Sequence, residues 1–142
     1  FAIASGKILN SSLLDNIGLM NPDLFIDWVD MEWCWRAIGK GYIILGNADV
    51  KINHRLGDNS IPVLHKSLTV RSSIRHYYMT RNAFYLALKS PYIDFLHRLN
   101  LIYRGTRYIF LFSIFAQPRA ENFKMTVLGL YHGVIGRLGR LD

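Results

Sequence analysis

Apolar positions along this chain fall into blocks separated by glycine, proline and asparagine. Phe1-Ala2-Ile3-Ala4 is apolar throughout and reads as a strand end entered part-way through a protein, with Gly6 as the turn that follows. A short helix is predicted over 12–17, stopping at Gly18, and Asn21-Pro22-Asp23 is a turn. The spacing then predicts an amphipathic helix over 28–38, ended by Gly39-Lys40-Gly41. Residues 42–45 and 49–53 read as two short strands about the turn pair Gly46-Asn47, and 54–67 as a polar loop. Helices follow over 71–89, 92–116 and 120–138. Ser90-Pro91 ends the first of these, because proline disfavours helix for its neighbour, and several glycines weaken the last.

The expected fold is therefore α/β, helix-rich with a few short strands, and 142 residues suffice for one compact domain but not for two well-packed ones. The run 108–116 is continuously apolar but far shorter than the roughly 20 residues a bilayer span requires. Arg104, Arg107, Arg119, Lys124, Arg137 and Arg140 surround it, and Phe110, Phe112, Phe115, Phe123 and Tyr131 are interleaved. That mixture resembles helices lying on a membrane surface. A buried helix, a contact with another domain or a homodimer through the same aromatics explains the pattern equally.

Composition sharpens this picture. The chain is 51% hydrophobic and 19% charged, with a formal net charge of +7, which attracts nucleic acid, phosphorylated substrates and anionic membranes alike. The charge is divided along the chain: up to Asp49, only Lys7, Arg36 and Lys40 face Asp15, Asp23, Asp27, Asp30, Glu32 and Asp49, whereas beyond it the acids are Asp58, Asp94, Glu121 and Asp142 alone. The single cysteine, Cys34, excludes an internal disulfide and a multi-cysteine zinc site and fits a reducing, cytoplasmic setting. The first residues lack the charged leader and cleavage site of a signal peptide.

Candidate chemistry concentrates in Phe25-Ile26-Asp27-Trp28-Val29-Asp30-Met31-Glu32-Trp33-Cys34-Trp35-Arg36. Asp30 falls at or near a helix start, where free amides and the macrodipole hold a carboxylate ionised and able to accept a proton. Glu32 and Arg36 are four apart and can pair along one face. The plainer alternative is an N-cap at Asp30, a surface ion pair and tryptophans in the core.

Taken in order, Ser5-Gly6, Ile17-Gly18, the segment from Phe25 to Trp33, Arg36, Gly41-Tyr42, His54 and Leu56-Gly57-Asp58, followed by Arg75-His76-Tyr77-Tyr78 and Arg81-Asn82, resemble the second half of bacterial family 2 glycosyltransferases, particularly rhamnosyltransferases of cell-surface polysaccharide synthesis. The resemblance covers about residues 3 to 90. It implies a C-terminal piece of a GT-A fold, with 1–90 as the acceptor-side half of the catalytic domain and 91–142 as basic amphipathic helices. It implies inverting transfer from a nucleotide-sugar donor to a polysaccharide or lipid-linked acceptor, with Asp30 as catalytic base. Many relatives carry Glu-Asp where this chain has Val29-Asp30. Asp27 is a weaker alternative base, Glu32 takes the family's second acidic position, and Trp33 and Arg36 join them as acceptor-binding or supporting residues. His54 corresponds to a histidine that helps bind manganese or magnesium. The family's nucleotide-binding half, with its Asp-x-Asp motif, has no counterpart here, so the chain alone is expected to be inactive. Localisation is expected to be cytoplasmic, peripheral on the inner face of the plasma membrane. The alternative is a basic module binding a membrane surface or single-stranded nucleic acid; no nucleic-acid-binding signature accompanies the basic tail, and none is expected as a partner.

Overall fold

A computed structural model describes residues 7–47, 49–51, 59–63 and 66–141. Helix α1 covers Ser12–Ile17, a single 3₁₀ turn Pro22–Leu24, and α2 Val29–Gly39. Strands β1 (Asn59–Val63) and β2 (Lys66–Val70) form an antiparallel pair with Asn59 opposite Val70. Three longer helices follow: α3 over Ser73–Lys89, α4 over Phe95–Phe115 and α5 over Arg119–Ile135.

All five helices were predicted, with ends displaced by up to three residues. The strands were not. Residues 42–45 carry no strand: Tyr42 and Ile44 pack against the face of α2 while Ile43 and Leu45 stay exposed, and no neighbouring chain among the described residues supplies a ladder. Residues 49–51 also lack strand structure, and 52 and 53 lie outside the described residues, as does the strand expected at 1–5. The hairpin instead occupies the segment expected to be a polar loop, disguised by Pro62 and its polar composition.

Helix α3 is the axis of the molecule. Ala83, Leu86 and Ala87 join Ile93 and, on α4, Leu101, Tyr108 and Phe112 in one apolar cluster that also takes Leu24, Trp28 and Trp35. The division expected near residue 90 thus falls between two helices that share a core. Helix α5 closes the opposite side, and its glycines have a use that their low helix propensity hides. A Cβ at Gly129 would stand 2.6 Å from the Tyr77 carbonyl oxygen, and one at Gly133 2.5 Å from that of Arg81, so the two helices touch backbone to backbone. Gly105 similarly makes room for the Phe84 ring of α3. The apolar run at 108–116 is split: Tyr108, Phe112 and Ala116 are buried, while Phe110, Ile114 and Phe115 face outward. Among the described residues, no helix is long and apolar enough to cross a membrane.

Polar groups inside this helical core are paired, as burial demands. His76 is fully buried, stacked 3.6 Å from the Phe112 ring. Its Nδ1 lies 2.7 Å from Asn122 Oδ1 and its Nε2 accepts the Arg71 amide at 3.1 Å, so the ring is neutral with its proton on Nδ1. The Tyr77 hydroxyl and His132 Nδ1 share a hydrogen bond of 2.8 Å across the α3–α5 seam. Burial pushes both histidines below the ordinary imidazole range; at His76 it outweighs the opposing effects of Asn122 and Asp27.

A pH dependence follows from these depressed values. The unfolded chain takes up protons near 6.5 while the folded imidazoles resist, so the stabilisation is complete above that pH and is lost as the pH falls through the folded values. Urea midpoints should therefore drop between pH 7.5 and pH 5, and His76→Gln should flatten the drop; a midpoint independent of pH in the parent chain would contradict the neutral, buried assignment.

Candidate functional site

The acidic segment begins with an improbable backbone. Asn21 Oδ1 accepts the Asp23 amide and Pro22 opens the 3₁₀ turn, after which Phe25, Asp27 and Trp28 all adopt positive φ, at 62°, 60° and 66°. Each such residue costs on the order of 1–3 kcal/mol and persists only where the surroundings dictate it. Here they do. Asn82 Nδ2 lies 2.9 Å from the carbonyl oxygens of Leu24 and Ile26 and 3.0 Å from that of Asp27. Arg81 Nη2 donates to the Leu24 and Asp23 carbonyls, its Nη1 to that of Gly139, and its Nε to Asn82 Oδ1. Both side chains are fully buried, and Arg81 has no carboxylate partner among the described residues. Carbonyl dipoles and the ring of Tyr78, 4.8 Å from the guanidinium carbon, take the place of a counter-ion.

The last strained residue, Trp28, caps α2 and is held on both sides. Its indole Nε1 donates to the Met79 carbonyl at 3.0 Å, and the Arg104 guanidinium of α4 lies 4.7 Å from its ring. Helix α2 then starts at Val29, which puts Asp30 in the first turn and not at the cap. The helix dipole favours an anion at that position.

The two aspartates meet different fates. Asp27 is gripped by Arg75, with Nε at 3.0 Å and Nη2 at 3.3 Å, and has Arg71 at 3.9 Å. The Asp30 carboxylate is partly exposed and makes no hydrogen bond or ion pair with a described residue. Glu32, about 200° further round the helix, points elsewhere. It is nearly buried and pairs twice with Arg36, through Nε at 3.0 Å and Nη2 at 2.9 Å. Arg36 also donates to the carbonyls of Ile17 and Leu19, and Trp33 Nε1 to that of Gly18. Glu32, Trp33 and Arg36 therefore fasten α2 to the end of α1, with Lys7 above the Trp33 ring at 4.9 Å.

His54 lies outside the described residues. Among those that are described, no group of three or more histidine, cysteine, aspartate or glutamate side chains is placed to hold a metal ion. The structure adds residues that periodicity did not single out: Arg75, Arg81 and Asn82 on α3, quoted above only for the resemblance, and the segment around Gly139. The adjacent Arg81 and Asn82, set before the run Ala83-Phe84-Tyr85-Leu86-Ala87-Leu88, were the available signal.

Comparison with known proteins gives one informative match. No protein-family model matches the chain, and no solved structure matches it significantly. Over 137 residues, 96% of the chain, it is 29% identical to the dTDP-rhamnosyl transferase RfbF of Shigella flexneri. The chain spans 46% of that relative's length. This likeness agrees with the resemblance to the C-terminal part of a rhamnosyltransferase-like glycosyltransferase.

Proposed function

We propose that the chain forms the acceptor side of an inverting glycosyltransferase of GT-A type, in which Asp30 is the general base. The observation that carries this reading is the contrast between the aspartates: Asp27 is committed to Arg75 and Arg71, whereas Asp30 sits at a helix start with its carboxylate unengaged by the described residues. An acceptor hydroxyl hydrogen-bonded to Asp30 gives up its proton as its oxygen attacks the anomeric carbon. The bond from that carbon to the nucleoside diphosphate breaks, the diphosphate leaves with the electron pair, and the configuration inverts. Glu32, Trp33 and Arg36 support α2 in this scheme. The donor, a nucleotide sugar for which the relative's name suggests dTDP-rhamnose, is assigned to the part of the relative's length that this chain does not cover. The acceptor is a cell-surface polysaccharide or a lipid-linked glycan.

Manganese or magnesium, held in part by His54, belongs to the same proposal and would offset charge on the leaving diphosphate. The described residues complete no such site by themselves. Peripheral attachment at the inner face of the plasma membrane completes the reading. It is supported by the outward Phe123, Val127, Tyr131, Val134 and Ile135 of α5 and by the basic residues around them.

Asp30→Asn in a full-length enzyme should lower turnover by at least about a hundredfold, the usual scale of general-base catalysis, and leave donor affinity unchanged. Asp27→Asn should lower stability more than turnover, since it weakens the grip of Arg75. An active Asp30→Asn enzyme removes Asp30 from the base role. His54→Ala should raise the manganese or magnesium concentration needed for half-maximal activity, and an unchanged requirement would make His54 structural. Cosedimentation should show binding to anionic vesicles over neutral ones, weakened by salt and by deletion of 92–140. Equal binding to both vesicle types would argue against attachment through charge, and preference for single-stranded RNA would favour the nucleic-acid alternative.

A further inference from the structure

Beside the acidic segment, and distinct from Asp30, an open pocket of about 300 Å³ is lined by Phe25, Ser72, Arg75, Tyr78, Arg140 and Leu141, with Ile26 and Ile74. Its walls come from three stretches of chain far apart in sequence, which the fold brings together by specific bonds. Gly139 N donates to the Asp23 carbonyl at 2.8 Å, Arg81 Nη1 holds the Gly139 carbonyl, and Leu141 N donates to the Tyr78 hydroxyl at 2.8 Å. The backbone is thus pinned on both sides of Arg140, whose side chain makes no hydrogen bond or ion pair with a described residue. Arg75, which lines the same pocket, spends Nε and Nη2 on Asp27 and keeps Nη1 uncommitted. The Ser72 hydroxyl does not cap α3. Phe25 is half exposed, tilted against Tyr78 at 5.0 Å, and held there by a strained backbone.

Two guanidinium groups with free donors favour phosphoryl oxygens, for which the arginine fork is the best protein ligand. A fixed, half-exposed ring beside them favours a partner with an apolar face. From this we infer that the pocket binds a sugar phosphate: the phosphoryl group lies between Arg140 and Arg75, and the sugar ring lies against Phe25. Its place in catalysis rests on the transferase reading above, in which it seats a phosphoryl group carried by the acceptor. Four residues of chain separate Ile26 from Asp30, so their Cα atoms lie at most about 14 Å apart, within reach of one short glycan.

Binding can be read without donor or turnover, by titrating the chain with glucose 1-phosphate, inorganic phosphate and glucose at constant ionic strength. Glucose 1-phosphate should bind most tightly. Arg140→Gln should weaken it at least about tenfold, the cost of one charged hydrogen bond, and Arg140→Lys should recover part of the loss. Phe25→Leu should erase the preference over inorganic phosphate. Lys124→Gln on α5, outside the pocket, should change nothing, and Asp30→Asn should bind as the parent does. The proposal is overturned if Arg140→Gln titrates like the parent, if Lys124→Gln costs as much, or if Arg140→Gln loses phosphatidylglycerol vesicles but retains glucose 1-phosphate. The last outcome would assign Arg140 to a lipid headgroup. An active Asp30→Asn enzyme would sink the base role and leave this pocket standing; a silent Arg140→Gln would do the reverse.

Discussion

A single buried arginine organises the front of this molecule. Taking a guanidinium out of water costs several kcal/mol, and a counter-ion is the usual compensation. Arg81 uses none among the described residues; it is satisfied by carbonyl oxygens of Asp23, Leu24 and Gly139, by Asn82, and by tyrosine faces. Arg81 also holds Asn82, whose amide gathers the carbonyls of Leu24, Ile26 and Asp27 about the positive-φ residues Phe25, Asp27 and Trp28. The unusual turn and the buried charge therefore sustain each other. Loss of either would release the other.

What depends on this bond network is the direction in which α2 departs. With Trp28 fixed between Met79 and Arg104, α2 has one available start, and the side chains that follow are distributed by helical geometry alone. Glu32, Trp33 and Arg36 turn toward α1, and Asp30 turns away from them. Asp27, one residue before the cap, is drawn onto α3 by Arg75. Chemically identical carboxylates three positions apart thus acquire a structural and an available character from backbone direction, not from residue type.

The helices were legible because each carries apolar residues at helical spacing and ends at glycine or proline. The pairing of Glu32 with Arg36 was legible from their separation of four, but not the carbonyls of Ile17 and Leu19 that complete the arginine's bonds, since these depend on how α1 meets α2. The hairpin was hidden by Pro62 and by polar residues, and residues 42–45 had the apolar run of a strand but no partner among the described residues. Helix α3 misled in another way. His76, Arg81 and Asn82 are residue types that usually face solvent, yet each is fully buried, because its bonding groups meet partners from remote segments. Asp30 was set above Asp27 by the resemblance alone, and the arginines that hold Asp27 became visible only in the fold. The glycines of α5 read as weaknesses, and tertiary packing reversed their meaning.

That packing has a mechanical consequence. At Gly129 and Gly133 no side chain cushions α5 against α3, so sliding one helix along the other would drive backbone atoms into each other. The outer face of α5 and the carboxylate of Asp30 are consequently parts of one stiff frame, joined through α3 and the arginine that anchors the turn. A load applied to the outer face of α5 is therefore passed directly to the backbone of α3, with no layer of side chains between them to absorb it.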